Sequence, residues 1–359
     1  MNVVIAAGGT GGHLYPAVAL AEEFRRRDPR TAVILVGTGR SLENVLLAQS
    51  DFQVETISVR GVVGRGLGAS LGALLLVPAA IWKAIQLLRA RDADLVIGTG
   101  GYTSPPVVIA AFVLGIRRVL LEPNAVPGVA NRVLGPIANR VFLSFESTMR
   151  YFAPSKTRVV GAPIRRAFVE PFPEPSSGSL KTLLVSGGSQ GAHAINTAMV
   201  EAIALSPTIR ENLTLIHQTG PEDYESVRAA YATAGVQAEV VPFLNDMAEA
   251  LRGADLVVSR CGASTLAELA ACAKPSILIP FPHATHQHQE ENAKVVEGAG
   301  AAILLKQDEL SGRRLAQEIE KLIESPERIR FMAERSLSLR KTGSAEAMVQ
   351  ECCALVAAG

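Results

Sequence analysis

Two glycine runs ending in histidine carry the first chemical signal: Gly8-Gly9-Thr10-Gly11-Gly12-His13, and Gly187-Gly188-Ser189-Gln190-Gly191-Ala192-His193. Each follows a short run of Val, Ile and Leu, so each reads as a buried strand, a tight turn and a helix start. Backbone N–H groups and the positive helix end then converge on one spot that suits an oxyanion or phosphate. Conformational use of the glycines as tight turns is the alternative, and finding the pair in matching places weakens it. One such spot per half predicts two ligands meeting between two domains. A third cluster, Gly98-Thr99-Gly100-Gly101-Tyr102, follows the apolar run at 94–97. In a doubly wound sheet such turns open at the carboxyl edge of the strands, so 8–13 and 98–102 are expected to line one pocket that takes a diphosphate.

In the second half, Ser259-Arg260-Cys261-Gly262-Ala263-Ser264-Thr265-Leu266-Ala267-Glu268 follows another strand pattern. Residues 262–265 are expected to cap a helix. Glu268 lies one turn further on, where its carboxylate can accept from the vicinal hydroxyls of a ribose. A capping box joining Glu268 to Ser264 or Thr265 is the competing use. The loop Pro280-Phe281-Pro282-His283-Ala284-Thr285-His286-Gln287-His288-Gln289 holds three of the six histidines. Three imidazoles can ligate zinc, but no thiol or carboxylate sits at helical spacing on the near side, and hydrogen bonding to sugar or phosphate is the preferred use.

Nicotinamide dinucleotides fit these turns poorly. Leu14 stands where the third glycine of the dinucleotide fingerprint belongs, and the second strand ends Gly37-Thr38-Gly39-Arg40 without an acid for the ribose.

The elements that must position these residues are legible as apolar runs. They fall at 3–7, 32–36, 94–97, 118–121 and 141–143, then at 181–185, 213–216, 238–241, 254–258, 276–279 and 301–305, most of them followed by a helix pattern. Such runs imply parallel sheets covered on both faces, an α/β chain of two doubly wound domains. The break is expected near Gly161-Ala162-Pro163, with a surface loop over 171–179. From Glu327 on the pattern is helical, so the tail must pack on something already built. At 359 residues the chain has room for two cores.

A formal charge of +1 argues against a nucleic-acid partner. Four cysteines, Cys261, Cys272, Cys352 and Cys353, show no framework spacing, which favours a reducing compartment. The N-terminus is not built as a secretory leader, and the protein is expected on the cytoplasmic side.

The most apolar stretch outside the strands, 69–82, is shorter than the ~20 residues a membrane-spanning helix needs. Arg60, Arg65, Lys83, Arg89 and Arg91 flank it, and it carries Trp82, the sole tryptophan. A peripheral helix that sits among anionic headgroups has this composition, with Leu74, Leu75, Ile81, Trp82 and Lys83 as the expected contacts. A crossover helix packed on the sheet is the alternative.

These motifs, in this order and over essentially the whole chain, resemble the GT-B glycosyltransferases of family 28 that act in peptidoglycan synthesis. The resemblance rests on the two glycine runs, Gly100-Gly101-Tyr102, Glu122-Pro123-Asn124, Gly161-Ala162-Pro163-Ile164-Arg165, Arg260 to Glu268, and His288-Gln289 through Asn292-Ala293. It implies transfer of N-acetylglucosamine from UDP-N-acetylglucosamine to lipid I, the undecaprenyl-diphosphate-linked muramoyl-pentapeptide, giving lipid II. Two domains face each other across a cleft in that fold. Residues 1–163 would take the acceptor and the membrane, 164–340 the donor, and the helix in 341–359 would return to the first domain.

On this resemblance Ser189, Gln190, Gly191 and Arg165 lie at the donor diphosphate with Ala263, Ser264 and Thr265. Glu268 holds the ribose, Gln289 and His288 face the sugar, and Thr10, Gly11, Gly12, His13 and Asn124 approach it from the first domain. The acceptor diphosphate rests on Gly8, Gly9, Thr10, Gly11, Gly12, Gly100, Gly101 and Tyr102. Where the family often carries an acidic residue, this chain has His283-Ala284-Thr285-His286-Gln287.

The implied chemistry is an inverting displacement by the acceptor's C4 hydroxyl. It needs a base, His13 first and Glu122 second, and fixed positive potential on the departing UDP. Helix N-termini and Arg165 supply that potential without a metal or other cofactor. Implied partners are the two substrates, an anionic membrane on its cytoplasmic face and the cell-wall synthesis machinery. The rival readings are a transferase for another lipid such as diacylglycerol, and a non-catalytic scaffold for sugar nucleotides or polyprenyl diphosphates.

Overall fold

The computed structural model describes residues 1–8, 11–39, 52–57, 67–169, 180–284 and 287–358, with the side chains at 11 and 67–77 outside that set. Gly9, Thr10, His286 and the loop expected over 171–179 therefore fall outside the described residues. The chain divides into two units: Met1–Arg166 with Gly343–Gly359, and Ala167–Thr342.

The first unit is built on seven parallel strands: β1 Asn2–Ala6, β2 Ala32–Gly37, β3 Gln53–Thr56, β4 Leu95–Gly98, β5 Arg117–Glu122, β6 Arg140–Leu143 and β7 Thr157–Val159. Their order is β3-β2-β1-β4-β5-β6-β7. The central strand is apolar on both faces, with Val3, Val4, Ile5 and Ala6 fully buried, as a parallel sheet covered by helices requires. β1 pairs with β2 through Val4 and Ile34, and with β4 through Val4 and Val96. The sheet's winding reverses between β1 and β4, so the turns that follow those two strands open side by side.

Its principal helices are α1 Gly11–Arg27, α2 Leu67–Ala90, α3 Ser104–Val113 and α4 Val129–Leu134. The tail helix Ser344–Ala357 belongs to this unit, although the other unit precedes it in sequence. Ser344 Oγ donates to Val160 O at 2.7 Å, Arg140 Nε donates to Glu351 Oε1 at 2.7 Å, and Met348, Val349 and Cys352 are buried.

The second unit repeats the plan with six parallel strands: β8 Thr182–Ser186, β9 Thr214–Gln218, β10 Ala238–Val241, β11 Leu256–Ser259, β12 Ser276–Leu278 and β13 Ala302–Leu304. The order is β10-β9-β8-β11-β12-β13. Here the reversal lies between β8 and β11. After the first of these strands comes the helix α5 His193–Leu205, and after the second comes the helix Ala263–Ala271.

Two strands are absent from the sequence reading. β3 and β7 lie at the edges of their sheet, and their sequences, QVET and TRV, mix polar and apolar residues. An edge strand buries less than a central one and writes a weaker apolar signal. α2 runs well beyond the apolar stretch 69–82 and contains Pro78. The boundary between units falls after Arg166, which leaves Ile164, Arg165 and Arg166 with the first unit, where the sequence predicts the second from 164 on.

Candidate functional site

In the first unit His13 sits in the opening turn of α1, with Nδ1 at 2.7 Å from Thr99 O. A carbonyl only accepts, so Nδ1 carries the hydrogen in this contact. The turn after β4 is shaped around this ring. Gly100 has φ +97, and a Cβ there would stand 2.9 Å from His13 Cε1 and 3.1 Å from Nδ1. Only a glycine both adopts that left-handed backbone and leaves room for the imidazole. At Gly101, φ +71, a Cβ would overlap Gly8 O, so the two glycine turns touch as the sequence predicts. Gly8 N donates to Thr103 Oγ1 at 2.8 Å, and Ser104 Oγ both accepts from Gly100 N and donates to Gly100 O. Tyr102 projects from the turn, exposed.

Glu122, the second base candidate, ends β5 almost fully buried. Its Oε1 accepts from Asn124 N at 3.0 Å and Asn124 Nδ2 at 3.2 Å, and its Oε2 from Gly128 N at 3.0 Å and Asn131 Nδ2 at 2.9 Å. Burial pushes this carboxyl above the ordinary range, against four N–H donors that favour its ionised form. The carboxylate thereby ties down the 123–128 loop that carries Asn124. Arg165 stacks its guanidinium 4.6 Å over the Tyr15 ring of α1. Glu22 on the same helix is pushed up by burial and pulled down by that cation.

Along α2, Ala80, Ala84 and Leu88 face the core, whereas Trp82 is 60% exposed with Lys83 exposed beside it and Ile81 partly buried. The helix thus packs on its unit by one face and turns its tryptophan outward. The side chains of Leu74 and Leu75 lie outside the described set. On the neighbouring α3, Phe112 and Val113 are also exposed, and the Arg118 guanidinium lies 4.8 Å over the Phe112 ring. No helix among the described residues is long and apolar enough to cross a membrane.

In the second unit the turn after β8 closes through Gly191 N, which donates to Gly188 O at 2.9 Å. α5 then starts on Ala192, whose side chain offers the helix no cap. The helix Ala263–Ala271 likewise starts on Gly262 with no side-chain cap. At both starts the N-cap residue makes no side-chain cap, and the two first turns of main-chain N–H groups flank the winding reversal, an arrangement suited to a pyrophosphate. The capping-box alternative is not built: the N-cap is Gly262, and Ser264 lies inside the helix. Ser264 and Glu268 are both nearly buried, and Ala263 and Thr265 complete the first turn.

The histidine loop is fastened to this turn by Gln289, whose Oε1 accepts from Phe281 N at 2.9 Å and Cys261 N at 3.3 Å. That leaves the Gln289 Nε2 hydrogens as the donors for an incoming hydroxyl. Arg260 holds the loop's base by donating to Ile279 O, Pro280 O and Gln307 Oε1. His288 begins the helix His288–Gly298, and His283 is exposed, edge-on to the Phe281 ring. Among the described residues no group of three His, Cys, Asp or Glu side chains is arranged to hold a metal ion.

The sequence reading missed Gln218 at the end of β9, which is buried and donates from Nε2 to Gly188 O at 2.6 Å. Its only sequence signal is a polar side chain closing an apolar strand.

Two family models match the chain. Residues 3–143 match the glycosyltransferase family 28 N-terminal domain, and residues 182–350 match the family 28 C-terminal domain. A protein of Syntrophus aciditrophicus, UDP-N-acetylglucosamine–N-acetylmuramyl-(pentapeptide) pyrophosphoryl-undecaprenol N-acetylglucosamine transferase, is 43% identical over 357 residues, covering 99% of each chain. The Myxococcus xanthus protein of the same name is 43% identical over 353 residues, covering 98% of this chain and 92% of its own. Among solved structures, MurG of Acinetobacter baumannii superposes with a TM-score of 0.81 at 29% identity, covering 98% of this chain and 99% of that one.

Proposed function

The chain belongs to glycosyltransferase family 28, and from that premise we propose that it moves N-acetylglucosamine from UDP-N-acetylglucosamine to undecaprenyl-pyrophosphoryl N-acetylmuramyl-pentapeptide, the lipid I acceptor. The relatives that match it end to end carry that activity in their names.

The donor's pyrophosphate belongs on the second unit, against the starts of α5 and the helix Ala263–Ala271. There Ser189, Gln190 and Thr265 offer main-chain N–H groups beside Ser264, and Gly191 closes the turn that presents them. Glu268 takes the ribose hydroxyls, and Gln289 Nε2 a sugar hydroxyl. The acceptor's diphosphate belongs on the first unit, at the joined turns after β1 and β4. The reaction is a displacement with inversion by the C4 hydroxyl. His13 removes the proton through Nε2, and Glu122 serves by holding the Asn124 loop.

One observation carries this assignment. The Thr99 carbonyl fixes the His13 tautomer that a base requires, and Gly100 makes the space in which the ring is held. Trp82 and Lys83, with Phe112 and Val113 on the adjacent helix, supply an apolar and cationic surface that suits an anionic membrane.

Purified protein incubated with labelled UDP-N-acetylglucosamine and a lipid I analogue tests the reading, and sugar transfer is the expected result. Transfer to diacylglycerol instead would make the acceptor a different lipid. Binding of UDP-N-acetylglucosamine without turnover on any acceptor would make the protein a scaffold.

A further inference from the structure

The end of β9, His217-Gln218-Thr219-Gly220, lies directly beneath the turn Gly187–Gly191, and all four residues engage that turn or the helix after it. Gln218 is 2% exposed; its Nε2 donates to Gly188 O at 2.6 Å and its Oε1 accepts from Leu244 N at 3.0 Å. A Cβ on Gly220 would overlap Gln190 O, and one on Gly191 would overlap Thr219 O, so the two segments are in backbone contact.

The floor itself is pinned by a buried chain of hydrogen bonds. Tyr231 OH donates to His217 Nδ1 at 2.7 Å, and His217 Nε2 donates to Asn196 Oδ1 at 3.0 Å. Asn196 Nδ2 donates to Thr219 O at 2.8 Å and to Asp223 Oδ2 at 2.7 Å. Every donor in that chain meets an acceptor, with His217 neutral. Burial pushes its pKa down to about 3, and the nearby Asp223 carboxylate only partly offsets this.

A trans peptide places its C=O and its N–H on opposite edges of one plane. Gly188 O is drawn toward the unit's interior by two donors, Gln218 Nε2 and Gly191 N, so the Ser189 N–H of the same peptide must point the other way. Gly188 has φ +91 and carries no Cβ to resist a flip of that plane, so the orientation is imposed by its partners.

We propose that Gln218 is a positioning residue for the transferase reaction: by gripping the Gly188 carbonyl it aims the Ser189 N–H at the donor's pyrophosphate. The proposal rests on the assignment of the donor to the second unit.

Gln218→Glu isolates the grip, because a carboxylate still accepts from Leu244 N but cannot donate to Gly188 O. Binding of UDP and of uridine by wild type and variant is measured by titration, alongside thermal unfolding. The expected result is UDP affinity lower by about tenfold, with uridine affinity unchanged. Thr219→Val, which removes the hydroxyl that donates to Gly220 O at no cost in volume, should weaken UDP by about threefold by loosening the same floor. This second variant carries the test should Gln218→Glu fail to fold. Equal losses for UDP and uridine, or undiminished UDP affinity in a folded variant, overturn the proposal. Failure of the wild-type protein to bind UDP at all would instead overturn the donor assignment on which it rests.

Discussion

The two units use one strand order and one glycine turn for different ends, and the residues that follow each turn show it. In the first unit the histidine after the turn is packed into the fold, its tautomer fixed by Thr99 O and its ring lodged against Gly100. In the second the histidine after the turn, His193, is largely exposed and pairs with Asp223 at 3.0 Å, while the histidine beneath the turn, His217, is sealed and neutral. One unit packs its histidine ring beside its turn; the other buries one histidine beneath its turn and leaves a second exposed after it. Under the proposed assignment, the same backbone device serves proton transfer in one unit and anion binding in the other.

Four measurements break or sharpen that contrast. The largest effect is expected at Glu122, where Glu122→Ala leaves four N–H donors without their acceptor. Chemical denaturation should register a loss of about 3 kcal/mol, and a loss under 1 would show that the 123–128 loop does not depend on it.

Next comes His13→Ala, expected to lower kcat by about a hundredfold with the affinity for UDP-N-acetylglucosamine little changed. If affinity falls and kcat survives, the first unit's histidine is a binding group and the contrast fails.

Third is the pH dependence of unfolding. The folded-state pKa of His217 is about 3, below its unfolded value near 6.5, so between the two the unfolded chain binds the extra proton. This residue's contribution is fully present above pH 6.5 and is lost on acidification, by about 1.4 kcal/mol per pH unit. His217→Gln, which keeps a donor toward Asn196 without a titrating ring, should flatten that slope; an unchanged slope would mean that another group carries it. The smallest effect is expected at the surface: Trp82→Glu should reduce partitioning onto anionic vesicles by about tenfold while the far-ultraviolet spectrum stays the same. Loss of the spectrum would make Trp82 part of the core.

The doubly wound architecture was legible because its central strands are buried on both faces and so consist of uninterrupted Val, Ile and Leu. The turns were legible because positive φ and close backbone approach demand glycine. What escaped the sequence reading has a common physical origin. β3 and β7 bury too little to leave a pattern, and the grip of Gln218 on Gly188 joins residues 30 positions apart through a main-chain atom, which no side-chain spacing encodes. Glu122 was legible as the second candidate base, but its four N–H donors became visible only once the 123–128 loop and Asn131 were folded around it.

The return of the helix Ser344–Ala357 to the first unit bears on how the protein is made. Translation releases Met1–Arg166 early, yet the partner of Arg140 and the donor to Val160 O emerge only after all of Ala167–Thr342 has been synthesised. At ordinary ribosomal speed that is a wait of ~10–35 s. The half that starts first thus finishes last, with Arg140 and the Val160 carbonyl waiting for their partners while the later half matures.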